Sequence, residues 1–350
     1  MRGGAGTEGH IRSRGLVVAA AGAALLAAVV VGGTLFQLAA TARDRRRMSP
    51  PGRLVDAGGH QLHLLISGNA RRAPTVVLEA GGMATSPQWA LIQPRIAEFA
   101  QVVSYDRAGL GWSEPGPRPR DARTVARELH TLLENAGVPG PYVLVGASLG
   151  GAYATVFADM YRHETAGLVL VDSVHPDQLE RLPRQAQQAL AALRFANRVL
   201  PLVATLGLTH LMDVTHLLLA GLPSQLPPDA AAQLRTFAHW PRHWAAVLDE
   251  VSVWDNTMGQ MRDAIGGGTL RSLPLVVLTA ADNPGMEAMR SAWLEMQRDL
   301  AGMSAEASHL VLYGVGHIAM ATEPEPIAKL IEAVRDLTEA TSTESPDGRQ

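Results

Sequence analysis

Ser148 is the residue whose surroundings most clearly point to chemistry. It stands in Gly146-Ala147-Ser148-Leu149-Gly150-Gly151, a G-x-S-x-G pattern. The run before it, Tyr142–Gly146, is strand-like, and the stretch after it, Gly150–Tyr161, follows a helical pattern. A serine on a tight strand-to-helix turn presents its hydroxyl as a nucleophile. Glycines must flank it, because bulky side chains there would clash with the strand and the helix. The helix N-terminus supplies free N–H groups and a positive dipole end beside a carbonyl oxygen that gains charge. The plain alternative is a Gly/Ser turn that only caps a helix. The strand before the motif and the helix after it favour the nucleophile.

The elements that must position this serine recur along the chain. Leu62–Ser67, Thr75–Glu79, Gln101–Tyr105, Tyr142–Gly146, Gly167–Asp172, Pro274–Thr279 and His309–Tyr313 are Val/Leu-rich runs bounded by turn residues. Such runs predict strands buried on both faces of a parallel sheet. Helical patterns lie between them at Trp89–Phe99, Thr124–Ala136, Gly150–Tyr161, Met286–Leu300 and Pro326–Thr338. The alternation predicts an α/β class, a doubly wound, mostly parallel sheet. Pro176 to Thr269 carries no strand signal and predicts a helical insertion over one edge of the sheet. The expected domain runs from residue 53 to 338, with a polar, fraying tail at 339–350.

Together these features resemble the α/β-hydrolase superfamily, in its serine esterase and aminopeptidase-like branch. The resemblance rests on Thr75–Glu79 before Ala80-Gly81-Gly82, then Asp106-Arg107-Ala108-Gly109-Leu110-Gly111-Trp112-Ser113, then the serine motif, then Gly314-Val315-Gly316-His317. It covers about residues 53 to 337. It implies His317 as the general base. Of the other histidines, His60, His63 and His309 lie on or beside strands and read as surface or packing residues. His239 and His243 are four apart, but Pro241 breaks the turn a metal pair would need. The resemblance also implies that Asp106 to Ser113 shapes a loop without doing chemistry.

The triad acid must lie at the C-terminal end of a sheet strand, hydrogen-bonded to the imidazole. Two residues qualify. Asp282 follows Pro274–Thr279, where most relatives carry the acid; Asp172 ends Gly167–Val171, from which a minority supply it. The plain alternatives are a turn residue for Asp282 and a backbone-bonding carboxylate for Asp172. An oxyanion hole would use the backbone N–H of Leu149, after the nucleophile, and that of Gly82, by register to Trp89. Relatives often carry His-Gly at this loop; here the histidine is replaced by Ala80 while Gly81 remains.

Near the N-terminus, Leu16 to Ala40 is an uncharged apolar run. It exceeds the about 20 residues a helix needs to cross a bilayer. It predicts a single-pass anchor in the cell membrane, with residues 1–15 before it and a linker at 41–52. Its rival is a cleaved signal peptide ending near Ala40-Thr41-Ala42, although the run is longer than a usual signal core. Arg2, Arg12 and Arg14 precede the span, and Arg43, Arg45, Arg46, Arg47 and Arg53 follow it. This slight excess leans toward a cytoplasmic catalytic domain and leaves the side open.

Composition limits the choice of function. The 350 residues carry a formal net charge of −3, so nothing draws the chain to nucleic acid. There are no cysteines, which excludes disulfides, thiolate metal sites and a cysteine nucleophile. Nothing in the sequence calls for a metal, nucleotide or other cofactor. Relatives that cleave haloalkanes or epoxides use an aspartate nucleophile, and Ser148 argues against both. Acyl transfer remains, with an ester as the leading substrate. The insertion is apolar at Leu200–Leu208, Leu217–Leu219, Trp240 and Trp244, which fits a lipophilic small molecule or simply the packing of cap helices. An aminopeptidase or amidase on the same residues is the nearer alternative. A non-catalytic binding protein that keeps the fold is the more distant one.

Overall fold

The computed structural model describes residues 5–69, 74–211, 222–282 and 289–343. Its strands are β1 (Arg53–Asp56), β2 (Gln61–Ser67), β3 (Thr75–Glu79), β4 (Val102–Tyr105), β5 (Tyr142–Ala147), β6 (Thr165–Val171), β7 (Leu275–Ala280) and β8 (Ala307–Leu312). They form one sheet in the order β1-β2-β4-β3-β5-β6-β7-β8. β1 pairs antiparallel with β2, and β2 antiparallel with β4, while every pair from β4 to β8 is parallel.

Helices follow in chain order: α1 (Ala5–Arg47), α2 (Gln93–Ile96), α3 (Ala122–Asn135), α4 (Leu149–Met160), α5 (Gln178–Arg181) and α6 (Arg184–Thr205). Beyond these come α7 (Pro228–Phe237), α8 (Pro241–Ser252), α9 (Trp254–Gly266), α10 (Arg290–Ala301) and α11 (Pro324–Thr343). Side chains alternate between the faces of a strand, so an unbroken apolar run feeds two cores at once. Val77, Leu144, Leu168 and Val277 pack with Leu129 of α3, Phe157 of α4 and Met261 of α9. Their chain neighbours Val76, Val143, Val169 and Leu278 pack on the opposite face with Ile96 of α2 and Val334 of α11. The expected doubly wound sheet is therefore present.

Three local expectations differ. The predicted helix Trp89–Phe99 is a 3-10 turn at Ser86–Trp89 followed by the single turn α2. Pro94, inside the predicted range, lacks the N–H that a continuous helix would need. β1 was absent from the predicted strands: it is a short edge strand, largely exposed, with no buried run to announce it. α11 continues through the start of the predicted fraying tail to Thr343. Of the predicted helix Met286–Leu300, the described part begins at α10, and Leu217–Leu219 lie outside the described residues.

After β6 the chain leaves the sheet and builds a cap from α5 to α8. Trp240 packs with Trp112 and Phe237, and Trp244 with Leu110 and Ala204. α1 continues as helix through the predicted linker as far as Arg47. Its segment Ala20–Arg47 contains an 18-residue stretch of mean hydropathy 2.0 and is long and apolar enough to cross a membrane by length and composition.

Candidate active site

The turn between β5 and α4 holds Ser148 at φ 52°, ψ −122°, a backbone conformation that side-chain-bearing residues rarely adopt. Hydrogen bonds fix it from both sides. Ser148 N donates to Val171 O at 3.0 Å, and Val174 N donates to Ser148 O at 3.2 Å. The neighbouring glycines are sterically required. A Cβ on Gly146 would stand 2.6 Å from Gly150 O, and one on Gly150 would stand 2.5 Å from Ala80 O.

β6 ends one residue before Asp172, which has φ +44° and is 1% exposed. Its Oδ2 lies 2.6 Å from Nδ1 of His317. Its Oδ1 accepts from Ala280 N at 3.0 Å and from the indole Nε1 of Trp293 at 2.8 Å. The carboxylate is thus held by a backbone donor, an indole and the imidazole. Burial works against the charged form of His317, but the hydrogen bond and the charge of Asp172 outweigh it, and the imidazole is raised above its ordinary value.

Asp282, the position favoured by the resemblance, is not placed on His317. Its Oδ2 accepts from Gly314 N at 2.6 Å, and its Oδ1 pairs with Arg290 at 3.0 Å. It joins the loop after β7 to the loop after β8 that carries His317. The same loop lengths that bring His317 across the sheet edge leave Asp282 bonded to the backbone three residues before it.

Gly82 and Leu149 line the same cavity as Ser148 and His317. A Cβ on Gly82 would touch Leu149 Cδ2 at 3.4 Å, so the two stand side by side. Arg107 shapes this loop from beneath. Its guanidinium is buried, and all five of its N–H groups are engaged. Nε and one terminal nitrogen donate to Glu250 at 2.7 and 3.1 Å; the other donates to Glu79 at 2.7 Å. The remaining bonds go to the carbonyls of Ala80 at 2.7 Å and Gly81 at 3.0 Å. The Gly81 carbonyl and the Gly82 N–H belong to one planar trans peptide, so drawing the carbonyl to Arg107 turns the N–H the opposite way. Burial pushes Glu79 up despite Arg107 beside it, and the two carboxylates keep Arg107 firmly charged.

The sequence matches the family described as "alpha/beta hydrolase fold" over residues 74–225. The structure is similar to the Cif epoxide hydrolase from Acinetobacter nosocomialis, with TM-score 0.68 and 14% identity, covering 87% of this chain and 96% of that one. It is also similar to the enol-lactonase from Burkholderia xenovorans LB400, with TM-score 0.59 and 18% identity, covering 82% of this chain and 100% of that one. The chain is an α/β-hydrolase-fold protein. An AB hydrolase superfamily protein of Gibberella zeae is 32% identical over 120 residues, 32% of this chain and 37% of its own length. The α/β-hydrolase-fold chain spans only 20% to 39% of the length of the first curated relatives it matches.

Within this α/β-hydrolase fold the cavity measures about 340 Å³. Its walls are Met83, Trp89, Val174, Leu190, Val247 and Trp254, with Asn197 and Glu250 among the few polar members. Trp240 and Trp244 are fully buried within the cap and do not line it. Trp293, Glu79 and Glu250 carry no motif in the sequence that marks them. Arg107 was visible in the Asp106–Ser113 motif, but Glu250 reaches it across 143 positions and left no local signal. Asp106 in that motif accepts from Ser86 N at 2.7 Å and Trp112 N at 3.0 Å. Its Oδ2 also meets Nδ1 of the buried His63 at 3.1 Å, so His63 is held by a carboxylate and is not simply packed.

Proposed function

We propose that this protein is a serine hydrolase that cleaves an ester-type bond of a lipophilic small molecule through an acyl-enzyme intermediate. The observation that carries the reading is the 2.6 Å bond from His317 to Asp172 in a cavity also lined by Ser148. Asp172 holds Nδ1–H of the imidazole, which leaves Nε2 to accept a proton. Ser148 Oγ attacks the ester carbonyl while His317 takes the hydroxyl proton. The carbonyl oxygen gains the negative charge opposite the N–H groups of Gly82 and Leu149. Collapse breaks the bond to the alcohol, which leaves with the proton from His317. Water then enters, gives a proton to His317 and attacks the acyl carbon; collapse breaks the bond to Ser148 Oγ, which takes that proton back from His317 as the acid departs.

The apolar walls support a lipophilic substrate, and α1 supports single-pass anchoring in a membrane. Glu250 would be the natural partner for a substrate amine, but both its oxygens are engaged by Arg107, which weighs against the aminopeptidase alternative. The test is hydrolysis of p-nitrophenyl esters of graded acyl length beside aminoacyl-nitroanilides. Ester turnover that disappears in Ser148→Ala is expected; turnover of the anilides alone would overturn the ester assignment.

A further inference from the structure

One helix of the cap has two unlike apolar faces. On α6, Leu190, Leu193, Arg194 and Asn197 line the cavity. Phe195, Val199 and Leu202 stand 65%, 40% and 60% exposed. With 3.6 residues per turn these sets fall on nearly opposite sides of the helix. An exposed stripe of Phe, Val and Leu at i, i+4 and i+7 needs a partner.

The course of α1 identifies that partner. Its C-terminal half is docked on the cap. Gly33 lies so close to the end of α6 that a Cβ would stand 2.5 Å from Leu206 O. Phe36 packs edge-on against His210 at 5.4 Å, and Gln37 donates to His239 O at 2.8 Å. Arg45 lies over the Trp240 ring at 5.4 Å. Counting about 20 residues of hydrocarbon span from Leu16 ends near Leu35. The turn of α1 that leaves the bilayer is therefore the turn that meets α6. Arg43, Arg45, Arg46 and Arg47 follow about 12–18 Å further along the helix, on its water side.

We propose that the Phe195–Val199–Leu202 face of α6 is a second membrane-contact surface, continuous with the anchor helix. The partner is the lipid bilayer, and α6 lies at its surface with the cavity on its inner side. Resting on the serine-hydrolase reading, this makes the favoured substrate an ester dissolved in the bilayer, reaching Ser148 past α6.

The absence of cysteine allows a direct test. Full-length Phe195→Cys and Leu202→Cys, each carrying a bimane label, are reconstituted into phosphatidylcholine vesicles containing doxyl-labelled lipid. The control is Glu332→Cys on α11. Quenching several-fold stronger at Phe195 and Leu202 than at Glu332 is expected; equal, weak quenching overturns the proposal. Label self-quenching that shows a second copy on this face overturns it too. The paired variant Phe195→Glu/Leu202→Glu should lose about tenfold in hydrolysis of a long-chain ester carried in the vesicles and keep its rate on soluble p-nitrophenyl acetate. Equal rates on both esters would leave the membrane contact standing and overturn the delivery route. If the labels are quenched but the unmodified chain cleaves neither ester, the serine-hydrolase reading fails and the contact stands.

Discussion

Asp172 and His317, 145 positions apart, meet through a 2.6 Å bond from Oδ2 to Nδ1 at the C-terminal edge of the sheet. Asp282, a much nearer neighbour in sequence, bonds Gly314 N instead. Asp172→Asn should therefore lower kcat about 1,000- to 10,000-fold with little change in KM, because the imidazole loses the partner that sets its tautomer. Asp282→Asn should change kcat far less and act on the stability of the loop. Steady-state kinetics on both variants, with folding checked by circular dichroism, decides between them. A collapse of kcat in Asp282→Asn alone would reverse the assignment.

The pH profile carries the same relationship. Asp172 raises His317 above the ordinary histidine value even against burial, and the base works only when neutral. Activity should rise as pH climbs through the pKa of His317, so the acidic limb of kcat/KM lies above about 6.5. In Asp172→Asn the residual activity should show that limb moved to lower pH. An unmoved limb would mean that another group titrates.

Trp293 is a positioning residue in this account. Its indole N–H donates to Asp172 Oδ1 at 2.8 Å. Trp293→Phe keeps a ring and removes the donor, a bond to a charged group worth about 1.5–3 kcal/mol. The acidic limb of kcat/KM should shift, and kcat should fall about tenfold or more. A purely packing role would lower Tm and leave the pH profile unchanged.

Arg107 joins Glu79, Glu250 and the loop carbonyls of Ala80 and Gly81. Arg107→Met would strand buried carboxylates and should destabilise the fold by about 3–5 kcal/mol. Thermal unfolding measures this directly. A Tm close to that of the parent chain would show that the network is dispensable.

The sequence made some of this legible and hid the rest for physical reasons. The strands that bury both faces are unbroken apolar runs, so β3 and β5 could be read directly. Ser148 stood out because a strained turn forces glycine at Gly146 and Gly150. β1 offered only an exposed edge, and Pro94 broke a helix that apolar spacing alone suggested. The acid could not be chosen, because both aspartates end strands and the choice lies in where two loops carry their backbones. Trp293 and Glu250 act across 121 and 143 positions, and such contacts exist only once the sheet and cap have assembled. By composition Trp240 and Trp244 fitted either a substrate wall or the packing of cap helices, and they are the packing of the cap itself.

If Ser148 is the nucleophile, a serine-directed covalent label must find it. The full-length protein is treated with a fluorophosphonate, digested, and the adduct located by mass spectrometry. One adduct is expected, on Ser148, absent from Ser148→Ala and strongly slowed in Asp172→Asn. An adduct on another serine, or an active folded protein with none, would contradict it.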